Sequence, residues 1–238
     1  MQGLYKVEFH TVHGSGRGVV YAFKNKRREG RLLGGNSAFA FIGCFDDADD
    51  EISVEVSTER HHDDPNFRPL FGTDRVTLTL KGWQQIDQFQ FRGSAAEVPG
   101  VAFRSTMIPI SDTVSPPVAE IGKDGIRNGL YSIHIKMLDG IDGGNTGVMV
   151  LHDGQIHGGD AFFDYIGRYS CANGKWKGEI VNHQHTPSQG ERPVFGGHEV
   201  GIGFSGSYTD DGAHAEATAL VGKRSIRFSA VLKRLAEA

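Results

Sequence analysis

The chain has 238 residues, of which 38% are hydrophobic and 23% charged, and its formal net charge is −4. This composition is typical of a soluble globular protein, and the acidic balance argues against a nucleic-acid-binding surface, which normally needs a basic excess. No apolar run approaches the roughly 20 residues that a membrane-spanning helix needs, so we expect no membrane span.

The first eleven residues, MQGLYKVEFHT, lack the basic and apolar regions of a secretory signal, so we expect a cytoplasmic protein. The only two cysteines, Cys44 and Cys171, do not form a C-x-x-C pair. Without an export signal, free buried thiols in a reducing compartment are expected rather than a disulfide.

Short runs of alternating apolar and polar residues begin at the N-terminus and recur along the chain, at 5–9, 76–80, 89–91 and 131–135. This period of two predicts β-strands with one face on a core. The segments HGSGRG, REGR, HDGQ, ANGK and TDDGA predict turns between the strands. Only the C-terminal LKRLAEA has much helical character. About eight antiparallel strands per copy of the repeat described below indicate a small β-barrel or sandwich.

Two glycine-rich or basic segments near the N-terminus have plain structural interpretations. GSGRG at 14–18 resembles a phosphate-binding loop, but strands flank it, and such loops open a helix, so we predict a flexible hairpin turn. KNKRREGR at 24–31 is basic, and we expect it to be a solvated strand edge. Binding of anionic lipid or an acidic partner is the alternative for that run.

The sequence repeats itself at a constant spacing. Ile42 matches Ile166 and Phe71 matches Phe195, each pair 124 residues apart, and GGNSAFAFIG at 34–43 matches GGDAFFDYIG at 158–167. A period this long exceeds the roughly 20–50 residues of solenoid units and indicates two copies of a whole domain. We predict a first domain over 1–111, a linker over 112–128 with Pro116-Pro117, and a second domain over 129–238.

The segments GLYKVEF and GGNSAFAFIGCFDDADDEISVEV resemble the GrlR family of bacterial negative regulators of type III secretion genes. The resemblance implies that each domain is a lipocalin-like (calycin-type) β-barrel, so that the fold class is all-β with two tandem antiparallel barrels related by pseudo-twofold symmetry. It also implies a non-enzymatic regulator without a cofactor, which sequesters a protein partner, a transcriptional activator, through an acidic loop. That loop corresponds here to Asp46, Asp47, Asp49, Asp50 and Glu51.

The chain departs from the family pattern because it carries two copies, and only the first has the acidic loop. SCANGK at 170–175 replaces the acids in the second copy. Family members work as dimers, so the chain is expected to be a pseudo-dimeric monomer or a homodimer. For the acidic run the alternatives are a solvated hairpin tip and, less favoured because DDADDEIS lacks a mid-loop glycine, a Ca²⁺ loop.

Two further sets of residues are candidate sites. His61 and His185 are in register, and His183 and His185 would share one side of a strand, but a third close metal ligand is missing, so surface or loop histidines are favoured. Four aromatic residues follow the Gly-Gly turns. These residues are Phe39, Phe41, Phe163 and Tyr165. Core packing is favoured for them, and the alternative is that they line a cavity for a small apolar or lipid-like ligand. No G-x-S-x-G, H-E-x-x-H or Walker motif is present, and we expect no enzyme.

Overall fold

The chain divides into two compact units, Met1–Asp112 and Thr113–Ala238. A computed structural model describes residues 1–25, 27–48, 50–110, 124–138, 144–188, 195 and 197–238. Each unit is a closed, eight-stranded antiparallel barrel in which every strand pairs with its neighbours in the chain and the last strand pairs with the first. The prediction of an all-β chain with two tandem barrels is therefore confirmed.

The first barrel is closed by pairing of β1 with β8, with Tyr5 opposite Pro109. Its strands are β1 (Gly3–Thr11), β2 (Gly14–Lys24), β3 (Gly30–Gly35), β4 (Phe39–Asp46), β5 (Ile52–Arg60), β6 (Arg75–Gln85), β7 (Gln88–Ala95) and β8 (Val98–Pro109).

The second barrel is closed by pairing of β16 with β9, with Leu232 opposite Ile133. Its strands are β9 (Gly129–Met137), β10 (Gly144–His152), β11 (Gln155–Gly159), β12 (Phe163–Ala172), β13 (Lys175–Gln184), β14 (Glu199–Tyr208), β15 (Gly212–Val221) and β16 (Arg224–Glu237).

The predicted alternation places one side of each strand inside its barrel. Val76, Leu78 and Leu80 on β6 are all buried in the core of the first barrel, and Ile133 and Ile135 on β9 are buried in the second. Because a small barrel has no room for a second layer, the inward side chains themselves fill its interior.

Three local expectations were wrong. The C-terminal LKRLAEA belongs to β16, where pairing with β9 overrides its helical composition. The segment GSGRG begins β2, and the turn lies one step earlier, at Val12 and His13. Cys44 is exposed rather than buried, whereas Cys171 is buried, and both are free thiols. Within the described ranges, no helix has the length and apolarity needed to cross a membrane.

Most of the expected linker, 112–123, lies outside the described residues. Its last part is anchored to the second barrel, since the Tyr208 hydroxyl donates to the carbonyl oxygen of Asp124 at 2.8 Å. Ile126 is buried in that barrel's core. Contacts with the second barrel therefore begin before β9, at Asp124 and Ile126.

The repeated R-P-x-F-G segment brings a phenylalanine onto each core. Phe71, between β5 and β6, packs against the first core and stacks on Phe103 with ring centroids 6.2 Å apart. Phe195, between β13 and β14, is buried in the second core, 5.3 Å from the Phe228 ring centroid. The aromatic position of this motif thus has the same packing role in both copies.

Candidate functional site

The hairpin between β4 and β5 is open at its tip, whereas its counterpart in the second barrel is paired to the end. The last pair in the first barrel is Asp46 with Ser53. In the second barrel pairing continues to Ala172 and Lys175, so only Asn173 and Gly174 form the turn. Both turn residues have positive φ, 53° and 71°, as a tight two-residue hairpin requires.

The sequence explains this difference in pairing. Acidic residues occupy four of the five positions between β4 and β5, and Asp49-Asp50 replaces the Asn173-Gly174 turn. Like charges on opposite strands repel one another, and aspartate is depleted in strands. The first barrel therefore exposes a loop, residues 46–51, which we call the acidic loop.

The carboxylates of the acidic loop do not all point outward. Asp46 and Asp50 are exposed, and Asp46 Oδ1 accepts a hydrogen bond from the Ala48 amide at 3.0 Å. Asp49 lies outside the described residues. Among the described residues, neither Asp46 nor Asp50 makes an ion pair. Of the described acids of the loop, these two are therefore available to a partner.

Asp47 points inward, and its side chain is only 14% exposed. Burial alone would raise the pKa of its carboxyl, but the Lys24 ammonium, 2.7 Å away, and the Met1 ammonium together hold that pKa below its usual value. Asp47 is thus part of the structure of the loop. Lys24 belongs to the basic run, so that run neutralises an acid of its own barrel.

Glu51 is exposed and paired with Lys81 of the neighbouring strand β6, with Nζ 2.6 Å from Oε1. Lys81 also donates to the Ser53 hydroxyl at 3.0 Å. An exposed pair of this kind contributes only about 0–1 kcal/mol to stability. A basic partner could therefore displace Lys81 at little cost.

Ile86 lies at the tip of the β6–β7 hairpin, on the same rim of the barrel as the acidic loop. The residue is 99% exposed, and its backbone has a φ of 42°. Positive φ is a genuine outlier for a β-branched residue and costs about 1–3 kcal/mol. An apolar side chain is therefore held in water, in a strained backbone, one hairpin away from the acids.

We expect Ile86→Gly to raise the free energy of unfolding of the first barrel by about 1 kcal/mol, because glycine adopts positive φ without a Cβ clash. Urea unfolding followed by the fluorescence of Trp83, the only tryptophan of the first barrel, measures this. The matched control is Val12→Gly, since Val12 is 79% exposed in a turn without positive φ, and it should not stabilise. If the Ile86→Gly chain is no more stable than wild type, the backbone at Ile86 is not strained.

The four aromatic residues considered as a ligand cavity are packed in the cores. Phe41 belongs to the first core, with Phe39 packed against it, and Phe163 and Tyr165 belong to the second. An open groove lies instead on the outside of β12–β15, and its lining includes Lys175, Lys177, Glu179, Ser205, Ser207 and Glu216. This open groove on the outer surface, with several charged side chains in its lining, differs from the enclosed, mostly apolar pockets that hold small ligands.

The histidines do not converge. His61 Nε2 lies 3.1 Å from the carbonyl oxygen of Asn36, and burial lowers the pKa of its imidazole. β13 ends at Gln184, so His185 lies beyond the strand and does not share a strand face with His183. Within the part of the chain that the structure describes, no three His, Cys, Asp or Glu side chains group closely enough to hold a metal ion.

The structure reveals a second feature that the sequence reasoning missed, a set of buried polar side chains at one end of the second barrel. Asp160 and Asp164 are 2% and 1% exposed. Asp160 is bonded to Tyr165, and Asp164 to His183. A position-by-position comparison of the two copies would have shown it, because the first barrel has Asn36, Phe41, Ala40 and Glu59 at these positions.

Comparison with known proteins identifies no family for this chain. No family model matches the chain, and no curated protein matches it. A solved chain described as an outer membrane protein (BF2706) from Bacteroides fragilis NCTC 9343 is 12% identical, covers 98% of this chain and 96% of its own, and has a TM-score of 0.31. A likeness this weak carries no argument about function or location.

Proposed function

We propose that the protein is a cytoplasmic, non-enzymatic regulator of the GrlR type, which binds and sequesters a protein partner through the acidic loop. The observation that carries the proposal is the contrast between two equivalent hairpins. The second closes on Asn173-Gly174, whereas the first opens and exposes Asp46 and Asp50 without a neutralising cation among the described residues. The fold does not require this open tip, because its twin does without it.

The exposed carboxylates favour a partner with a basic surface, such as the activator that the family resemblance implies. Opposite charges accelerate encounter, by 10- to 1,000-fold in favourable cases, and this acceleration falls steeply with salt. Ile86 on the same rim adds an apolar contact. Central apolar anchors surrounded by polar residues are a common arrangement of protein interfaces. We therefore expect the partner to present an apolar pocket bordered by lysine or arginine.

The experiment is capture of the partner from a lysate of the source cells by the full chain carrying Asp46→Asn, Asp50→Asn and Glu51→Gln. These changes remove three charges and keep the side-chain shapes, and none of the three acids is buried. We expect capture to fall to background while the melting temperature stays at the wild-type value. Undiminished capture would contradict the proposal.

The matched control is Asp47→Asn, in the same loop. Because Asp47 faces inward and pairs with Lys24, its loss should cost about 1–2 kcal/mol of stability and leave capture intact. The native pKa of Asp47 is lowered, so its contribution is present above the ordinary pKa of about 4 and is lost as pH falls through the lowered value. Within one loop, Asp47 is thus expected to affect stability, and Asp46, Asp50 and Glu51 to affect binding of the partner.

A further inference from the structure

At two sites where the first barrel has the pairs Asn36–Phe41 and Ala40–Glu59, the second barrel has pairs that contain a buried aspartate. At one site, Asn36 and Phe41 become Asp160 and Tyr165. At the other, the cross-strand neighbours Ala40 and Glu59 become Asp164 and His183. In each case both members of a contacting pair differ together, so each pair is a unit.

Asp160 keeps the turn that Asn36 makes and adds an ionisable carboxyl group. Asn36 Oδ1 accepts from the amides of Ala38 and Phe39 at 3.0 and 2.8 Å. Asp160 Oδ1 accepts from those of Phe162 and Phe163 at 2.7 and 2.9 Å. Since the asparagine forms the same turn, the fold does not need a carboxyl here.

The second oxygen of Asp160 has partners of its own. Oδ2 accepts from the Tyr165 hydroxyl at 2.6 Å and from Asn145 Nδ2 at 3.3 Å. When the Asp160 carboxyl carries a proton, it can donate a hydrogen bond to the tyrosine oxygen, because a phenol hydroxyl both donates and accepts hydrogen bonds. The pair therefore has a bonded arrangement in either protonation state.

Asp164 lies on the outer side of β12, opposite His183 in register. Its Oδ1 is 3.1 Å from His183 Nδ1, and the His183 side chain is 49% exposed. The histidine thus connects the buried carboxyl to solvent and gives protons a path to it. Asp160 and Asp164 also act on each other as like charges.

Four other titratable side chains lie on or beside the described strands that carry the two carboxyls. Glu199 lies opposite His183 in the β13–β14 register, and His157 lies two residues before Gly159, the register partner of Asp164. The remaining neighbours are His134 on β9, opposite Thr146, and His185 after β13.

The turn at Asp160 is coupled to the connection that follows β13. The carbonyl oxygen of Phe162 accepts from the amides of His185 and Thr186 at 2.9 and 3.2 Å, and the Phe162 amide donates to Asp160. We call these two segments, 160–163 and 185–186, the mouth of the second barrel. A change at Asp160 therefore reaches residues 185–186 through the amide and the carbonyl group of Phe162.

We propose that Asp160 and Asp164 form a proton-operated switch, which holds the mouth of the second barrel closed while protonated and loosens it when the proton is lost. Ionisation places two negative charges in a site shielded from water, and the basic side chain bonded to them in the described part of the chain is the half-exposed imidazole of His183. This inference does not rest on the proposed function.

The direction of the pH response follows from burial. Burial raises the pKa of Asp160, although its four hydrogen-bond donors act to lower that pKa. Burial likewise raises the pKa of Asp164, although His183 acts to lower it. A carboxyl with a raised native pKa binds protons better in the folded state. Its contribution to stability is therefore complete below the unfolded pKa of about 4 and is lost as pH rises through the native pKa.

The test is hydrogen exchange of the full chain between pH 4.5 and 7.5, corrected for the intrinsic exchange rate. We expect the protection of the Phe162, Phe163, His185 and Thr186 amides to fall with rising pH, about tenfold for each unit by which the native pKa exceeds the unfolded one. The amides of His61 and His62, which bond to Ala38 in the first barrel, should hold or gain protection, because burial lowers the pKa of His61.

The double variant Asp160→Asn with Tyr165→Phe copies the first barrel's pair and should lose most of this pH response. Glu216→Gln removes an exposed acid of the same barrel and should keep it. A double variant with the wild-type response, or wild-type protection that does not fall, overturns the proposal. If the double variant fails to fold, the test is an NMR titration of the side-chain carboxyl carbons of Asp160 and Asp164 in the wild-type chain. Titration midpoints above the ordinary aspartate pKa support the switch, and midpoints at or below that pKa overturn it.

Discussion

Replacing Phe91 by alanine is expected to lower the free energy of unfolding of the first barrel by about 3–5 kcal/mol. Phe91 is 2% exposed and belongs to the first core. Its cross-strand partner is Gly82, where an added Cβ would lie 2.2 Å from the ring. The ring thus fills the space that the glycine leaves. Urea unfolding followed by Trp83 fluorescence measures the loss.

The matched variant is Phe91→Leu, which keeps most of the buried volume and should cost clearly less than alanine. A cost below about 1 kcal/mol for Phe91→Ala would mean that the interior of the barrel is loosely filled. That outcome would revive the alternative of a carrier for an apolar ligand. Native mass spectrometry of the freshly purified chain would then be the next measurement, since a retained ligand adds mass.

Replacing Trp176 by alanine should destabilise the second barrel by a similar amount, about 3–5 kcal/mol. The indole is 3% exposed and lies 4.6 Å from the Phe204 ring centroid. Its Nε1 donates to the carbonyl oxygen of His214 at 3.0 Å. The truncation therefore leaves a cavity and also removes the partner of a carbonyl group. Circular dichroism during urea unfolding reports the loss, because the variant has no tryptophan in this barrel.

Trp176→Phe separates the two contributions. It keeps an aromatic ring in the core but removes the Nε1 donor, so its cost should be about 1–3 kcal/mol, between wild type and alanine. A phenylalanine variant as unstable as the alanine variant would assign the whole effect to the hydrogen bond. An alanine variant as stable as wild type would contradict the packing described for this core.

The strands and the duplication could be predicted because they are written in local patterns. Alternation at 76–80 and 131–135 identifies the inward faces, and the spacing of 124 residues identifies two copies. The number of strands left a barrel or a sandwich open, and the family resemblance implied the barrel. The helical expectation at LKRLAEA failed because pairing with β9 across the barrel, a contact between distant parts of the chain, overrides local propensity.

The candidate site was only partly predictable for the same reason. A run of acids in a sequence does not show which member turns inward, and Asp47 does so because Lys24 on β2 lies beside it. Nor does the sequence show that the turn at Ile86 takes a positive φ. Asp160 and Asp164 look like ordinary surface acids until the barrel brings Asn145 and His183 to them. The sequence shows that these residues differ from those of the first copy, but it does not show their contacts with Asn145 and His183.

The most direct test of partner binding through the acidic loop uses the second hairpin as a template. Asp49→Asn, Asp50→Gly and Glu51→Lys turn Ala48–Glu51 into the sequence of Ala172–Lys175. The association rate constant of the captured partner is then measured at low and high salt. We predict that the variant associates at least about tenfold more slowly at low salt and loses the salt dependence of wild type. Equal rate constants and an equal salt dependence for the two chains would contradict the account.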